Sequence, residues 1–104
     1  MTYLTTPDGR YFVVKGRLWR CTNPNLEETV KQQLVGQLMT ARRLVKQAKK
    51  QGDEKALQVA RSQVNTAKVA LGERGPTWWE DGAPDYNRYM AKNTPYAAWF
   101  AQMS

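Results

Sequence analysis

Basic side chains recur at helical spacing in the middle of the chain. Arg42, Lys46, Lys49 and Lys50 stand at i, i+4, i+7 and i+8, with Arg43 beside the first. In an α-helix this spacing places cations along an outward side, where like charges destabilise the helix slightly. A row of one sign is typical of a surface that contacts phosphate groups. The alternative is a solvated face with no partner.

Two further arginines, Arg17 and Arg20, lie in the aromatic stretch RYFVVKGRLWR. Cations interleaved with aromatic rings suit phosphate contact combined with base stacking. The sequence contains no helix-turn-helix, zinc-finger, RNA-recognition or KH pattern. Any binding of nucleic acid is therefore expected to lack sequence preference.

Adjacent tryptophans, Trp78 and Trp79, stand in the turn-rich stretch GPTWWEDGAPDYNRYM. Neighbouring side chains diverge in both strands and helices, so burial of both would require a segment packed on two sides. We expect one indole in the core. The other is a candidate for stacking on a base, a ligand ring or a partner's side chain.

A second candidate site, for a ligand or a hard cation, follows the tryptophans. It comprises Glu80, Asp81, Asp85, Tyr86 and Arg88. Carboxylates can bind such a cation or act as an acid–base pair. The alternative is structural, with Asp81 as a turn residue and Asp85 as a helix cap.

The chain contains no histidine and a single cysteine, Cys21, which we expect to be buried and unreactive. The usual base at neutral pH and the commonest metal ligand are thus missing. We predict a protein that is not an enzyme and uses no cofactor or metal. The lone cysteine and the absence of a secretory signal pattern favour a cytoplasmic location. No apolar run approaches the roughly 20 residues of a membrane span, so no membrane partner is expected.

We expect the 104 residues to form a single domain of three segments, 1–25, 26–72 and 73–104. Their formal charges are +3, +5 and −1, which sum to the net charge of +7. The positive field belongs to the first two segments and attracts polyanions such as DNA, RNA or an acidic protein.

The first segment reads as a β-meander. Turn signals at Pro7-Asp8-Gly9 and Lys15-Gly16-Arg17 separate short stretches rich in aromatic and β-branched residues. Such a small sheet is not stable alone and needs a helix to cover it.

The second segment reads as an antiparallel helical hairpin. A helix over 26–51, capped by Asn25, is followed by a hinge at Gly52 and a second helix over 54–71, capped by Asp53. The predicted seams are Leu34, Leu38, Ala41, Val45 and Ala48 on the first helix, and Leu57, Ala60, Val64, Ala67 and Leu71 on the second. Apolar residues also lie off the seam: Val35, Met39 and either Val59 or Val69. They suit the pairing of two hairpins into a four-helix homodimer or the binding of an acidic partner.

The third segment is aromatic and rich in turns. We predict a short helix from Pro84-Asp85 that presents Tyr86, Tyr89 and Met90, and a last helix over 95–102 that Thr94 caps.

Three elements together, GRLWRCTNPNL, ALGERGPTWWEDGAPDYNRYM and KNTPYAAWF, resemble a group of short bacterial proteins. That group shares a GRLWR-x-x-NP-x-L element, an Ala/Arg-rich helical pair and an ERGP-x-WW-x-DGAPDYNR element. The resemblance covers most of the chain from Gly16 to Phe100. Because the group has no established activity, the resemblance implies a bacterial, intracellular single-domain protein and no mechanism.

Taken together, the patterns predict an α+β, mostly helical fold: a helical hairpin, an N-terminal β-meander and an aromatic C-terminal segment with short helices. The first functional hypothesis is phosphate-mediated binding of DNA or RNA. The second is a protein-interaction module that forms a homodimer or takes an acidic partner. The third is a small enzyme or ligand-binding protein.

Overall fold

The computed structural model describes residues 3–103 and confirms the α+β architecture. In chain order the elements are β1 (Leu4–Thr5), β2 (Tyr11–Val14), β3 (Arg17–Arg20), α1 (Glu28–Gln51), α2 (Glu54–Leu71), a 3₁₀ turn (Ala91–Asn93) and α3 (Ala97–Met103). The chain divides into two compact units. We call residues 3–22 with 77–103 the sheet unit, and residues 23–76 the hairpin unit. Within residues 3–103, no helix is both long and apolar enough to cross a bilayer.

The sheet is an antiparallel meander with strand order β1-β2-β3. In the β2–β3 hairpin Val14 faces Arg17, so Lys15 and Gly16 form a two-residue loop. Their φ angles are 52° and 78°. Two successive positive φ values suit a type I′ turn, whose twist matches that of the strands it joins. The predicted turn is therefore confirmed, with an unfavourable lysine at its first position.

The aromatic C-terminal segment covers the sheet. Along the outer edge of β3, the backbone N–H of Leu18 donates to Tyr89 O and that of Arg88 donates to Leu18 O, at 2.8 and 2.7 Å. The prediction of a short helix from Pro84-Asp85 is therefore wrong, because part of this stretch lies alongside β3. Backbone groups at 88–90 that pair with a strand are not available for helical hydrogen bonds. The core of this unit consists of Tyr11, Val13, Leu18, Trp79 and Ala91, with Tyr96, Trp99 and Phe100 packed against it.

The hairpin unit follows the predicted seams. All ten seam residues are buried or half-buried, and Leu38, Ala41 and Ala48 of α1 and Ala60, Ala67 and Leu71 of α2 are buried. The hinge is also as predicted. Gly52 has a φ of 67°, and the Asp53 carboxylate accepts the backbone N–H of Ala56 at 3.0 Å.

The start of α1 differs from the prediction. Asn25 does not cap the helix, which begins at Glu28 after Glu27. Instead, the side chain of Asn23 accepts the Asn25 N–H at 2.9 Å, and the backbone N–H of Asn23 donates to Leu71 O at 2.8 Å. These bonds hold the residues before α1 in a turn against the end of α2.

The last helix begins two residues later than predicted, at Ala97. Thr94 is buried, and its Oγ1 accepts the backbone N–H of Tyr96 at 3.2 Å. Thr94 therefore bonds within the turn that precedes α3, and the prediction that Thr94 caps this helix with Pro95 as its first residue is wrong.

Candidate functional site

The seams determine which sides of α1 and α2 remain exposed. Successive residues of an α-helix are separated by about 100°, so side chains next to a seam fall on one of two flanks. Because the two helices are antiparallel, equivalent flanks lie on the same side of the hairpin. The hairpin unit therefore has two exposed faces, which differ in charge.

One face is basic. It comprises Arg42, Lys46 and Lys49 of α1, Arg61 of α2 and Arg74 in the loop that follows; we call these five residues the basic face. Three of them, Arg42, Arg61 and Arg74, line one concavity of about 370 Å³. The seam residues Val45 and Val64 complete its lining. Guanidinium groups from three parts of the chain therefore surround one apolar depression.

The arginines of this concavity keep their donors available. Arg42 and Arg61 are exposed, and within residues 3–103 neither forms an ion pair. Arg74 is half-buried, and its Nη1 lies 3.4 Å from the amide oxygen of Asn65. A guanidinium carries five N–H donors in a planar fork that matches a phosphate or carboxylate group. This arrangement can bind an anion through several charge-assisted hydrogen bonds.

The predicted row of cations does not form a single stripe. Arg43 and Lys50 lie on the side of α1 that points away from α2. The guanidinium of Arg43 donates to Thr40 Oγ1 at 3.1 Å. The sequence spacing identified all of these positions as exposed. It did not distinguish the flank of α1 that carries Arg42 from the side that points away from α2.

The opposite face of the hairpin is neutral. We call Thr40, Leu44 and Gln47 of α1, together with Val59, Gln63 and Thr66 of α2, the neutral face. Two shallow concavities of about 450 and 690 Å³ run along it and share Leu44 and Gln63. Charged side chains reach this lining only at the hinge, where Asp53 and Lys55 lie.

Of the predicted off-seam apolar residues, Val35 requires a correction, because it packs into the core of the hairpin. Met39, Val59 and Val69 are exposed, by 46%, 55% and 40%. Leu44, which the sequence did not single out, is exposed by 40%. Only Val59 of the predicted set lies with Leu44 on the neutral face.

Arg17 and Arg20, the two arginines of the sheet unit that were predicted to contact phosphate, both bond to other residues of that unit. Arg20 is 2% exposed, and its Nη1 donates to Asp85 Oδ2 at 3.1 Å. It is therefore not on the surface where a phosphate contact was predicted, because β3 directs it into the core. Arg17 is exposed, and its guanidinium donates to the backbone carbonyl of Arg88.

The tryptophan pair divides as expected. Trp79 is 8% exposed, lies under the guanidinium groups of Arg10 and Arg20, and donates from Nε1 to Ala83 O at 2.9 Å. It belongs to the core and is not available for stacking. Trp78 is half-buried, and its Nε1 donates to the Cys21 carbonyl at 3.1 Å. Part of this indole remains accessible.

The two aspartates of the predicted ligand site are already bonded to other groups of the chain. Asp81 pairs with Arg10 and accepts the Ala83 N–H at 3.1 Å, as a turn residue does. The hydrogen bond from Arg10 lowers the pKa of Asp81. Asp85 accepts the Asn87 N–H at 2.9 Å and the Arg20 guanidinium, but no helix follows it to be capped.

The other three residues of the predicted ligand site do not form a common site. Glu80 and Arg88 are exposed, whereas the Tyr86 ring packs edge-on against Tyr89 and Tyr96. In the part of the chain that the structure describes, no three His, Cys, Asp or Glu side chains are grouped as metal ligands. Cys21 is half-buried, and its predicted burial is thus only partial.

Sequence reasoning did not identify Arg74 as a site residue. Arg74 lies two positions after Gly72, the glycine that ends α2, so the helical periodicity of α2 does not extend to it. A cation close behind a C-terminal glycine was the only available signal, and it is too common to be specific.

Comparisons with protein-family models, with curated proteins and with solved structures found no match for this chain. Its function is therefore argued from the hairpin faces themselves.

Proposed function

We propose that this chain is a small, non-enzymatic cytoplasmic protein that binds DNA or RNA through phosphate contacts on the basic face. The observation that supports the proposal is the convergence of Arg42, Arg61 and Arg74 on one concavity without an acidic side chain in its lining. Cations brought together without counterions repel one another, and a bound polyanion relieves that repulsion.

The dimensions of the face suit a nucleic-acid backbone. Lys46 and Lys49 follow Arg42 along α1, so the row of cations extends over seven positions, from Arg42 to Lys49. At 1.5 Å per residue this row is about 10 Å long, which matches the rise of about three nucleotides in one strand of a duplex. Several phosphates can thus be contacted at once.

The lining of the concavity predicts binding without sequence preference. Apart from its arginines it contains only Val45 and Val64. Asparagine, glutamine and carboxylate groups, which read base edges together with arginine, are not part of it. Contacts to phosphate position a protein on nucleic acid but carry no sequence information.

The test compares two double variants of equal charge. Arg42→Gln with Arg61→Gln removes two cations from the basic face, and Arg43→Gln with Lys50→Gln removes two from the side of α1 away from α2. Binding to labelled single-stranded DNA, duplex DNA and RNA is measured by fluorescence anisotropy over a range of salt concentrations. The logarithm of affinity should fall linearly with the logarithm of salt.

We expect the basic-face variant to lose affinity and to reduce the salt slope by about 0.9 for each duplex phosphate contact removed. The matched variant should retain most of the affinity. Equal losses in both variants would mean that net charge alone is responsible. No binding of any nucleic acid at low salt would overturn the proposal and leave an acidic protein as the partner of the basic face.

A further inference from the structure

The neutral face has no assigned role in the proposed function. It lies on the side of the hairpin opposite the basic face, and its exposed side chains include Leu44 and Val59, at 40% and 55%. The centre of a protein interface is depleted of charged residues, and the neutral face shares that property and adds two exposed apolar side chains to it.

We infer that the neutral face is the interface through which two copies of this chain associate, packing their hairpins into a four-helix bundle. Charge determines which face a second copy can use. Each copy carries a net charge of +7, so two copies repel unless their cations are kept apart. Contact through the neutral face places both basic faces on the outside, at the greatest separation that the hairpins allow.

The side chains of the face also suit a copy of itself. Gln47 and Gln63 each carry an amide that both donates and accepts hydrogen bonds. In a two-fold interface the same surface appears on both sides, so such groups can satisfy each other. An acidic partner would gain nothing from this uncharged surface and would be drawn to the opposite side.

The area of the face predicts a weak association. The 18 residues of α2 span about 27 Å, and two helices side by side are about 20 Å wide. The footprint is thus on the order of 500 Å² per copy, or roughly 1,000 Å² in total, which is the least that a specific interface needs. We therefore expect a dissociation constant on the order of micromolar or higher.

Matched lysine substitutions on α2 test the inference. Gln63→Lys adds a cation to the neutral face, and Gln58→Lys adds the same cation to the flank of α2 that carries the basic face, at the position equivalent to Lys46 of α1. Both positions are exposed, and lysine and glutamine have similar helix propensity, so both variants should fold. Circular dichroism confirms folding, and sedimentation equilibrium measures association of the full chain from low micromolar to about 1 mM.

We expect wild type to dimerise, Gln63→Lys to weaken dimerisation at least about tenfold, and Gln58→Lys to change it less than about twofold. Added salt should leave the wild-type dimer unchanged or strengthen it, because it screens the repulsion between copies. A protein that stays monomeric at about 1 mM would overturn the inference. So would equal weakening by both variants, or a dimer that high salt dissociates. None of these results depends on nucleic-acid binding.

Discussion

The Tyr11 hydroxyl oxygen accepts the backbone N–H of Tyr86 at 2.7 Å, across 75 positions of sequence. Tyr11 is fully buried, and its ring meets Trp79 and Tyr96 edge-on with centroids 5.7 and 5.6 Å away. The same hydroxyl is also in donor range of Asp85 Oδ1 and Pro84 O, at 3.4 and 3.5 Å. A single side chain of β2 therefore holds the C-terminal aromatic segment in place through its hydroxyl and two ring contacts.

Replacing Tyr11 by phenylalanine should destabilise the protein by about 1–3 kcal/mol. The ring is retained, but the backbone N–H of Tyr86 loses its acceptor in a half-buried position. Urea unfolding followed by tryptophan fluorescence measures the change. A difference below about 0.5 kcal/mol would mean that water replaces the hydroxyl at no cost.

Stability should fall as the pH rises from about 10 to 12. Burial raises the pKa of Tyr11 to about 12, and burial together with the hydrogen bond to Asp8 raises that of Tyr96. The unfolded chain releases these protons near pH 10, whereas the native state retains them. The unfolded state then binds fewer protons, so the free energy of unfolding decreases with pH in this window, whereas these two tyrosines give it no pH dependence below the window.

Urea unfolding at several pH values between 9 and about 12 measures this slope. In the Tyr11→Phe variant the slope should be smaller, because one of the two shifted groups is gone. An unchanged slope in that variant would contradict the assignment to Tyr11.

Replacing Lys15 by asparagine should stabilise the protein by about 0.5–1 kcal/mol. Lys15 has a φ of 52° at the first position of the two-residue β2–β3 loop, a conformation that asparagine adopts more readily. Its side chain is exposed, so no packing is lost. Thermal unfolding should show a higher Tm. A lower Tm would show that the lysine side chain contributes an interaction that outweighs its backbone strain.

The alanines of the seam should not tolerate enlargement. Ala60 is 2% exposed where α2 packs against α1, so Ala60→Leu should overpack the hairpin and cost about 1–3 kcal/mol. Ala70→Leu, on the same helix at an exposed position, should change stability by less than about 0.5 kcal/mol. Chemical unfolding of the two variants compares them directly, and equal effects would indicate that the helices do not approach closely at Ala60.

The sequence alone determined the hairpin, because its signals are local. Seam periodicity, the positive-φ glycine at position 52 and the capping aspartate at position 53 depend on neighbours within a turn or two. The sequence even determines which residues belong to the basic and neutral faces. Once the seam is known, helical periodicity places Arg42 on one side of it and Thr40 on the other.

Only the tertiary structure decided features that join distant parts of the chain. Residues 88–90 lie along β3 and not in a helix because Leu18 supplies hydrogen bonds that no local pattern records. Arg20 is buried because Asp85, 65 positions away, supplies its counterion. Arg74 joins Arg42 and Arg61 because the loop after α2 returns over the hairpin. Local physics thus specifies each helix, whereas long-range contacts determine which cations converge and which are withdrawn from the surface.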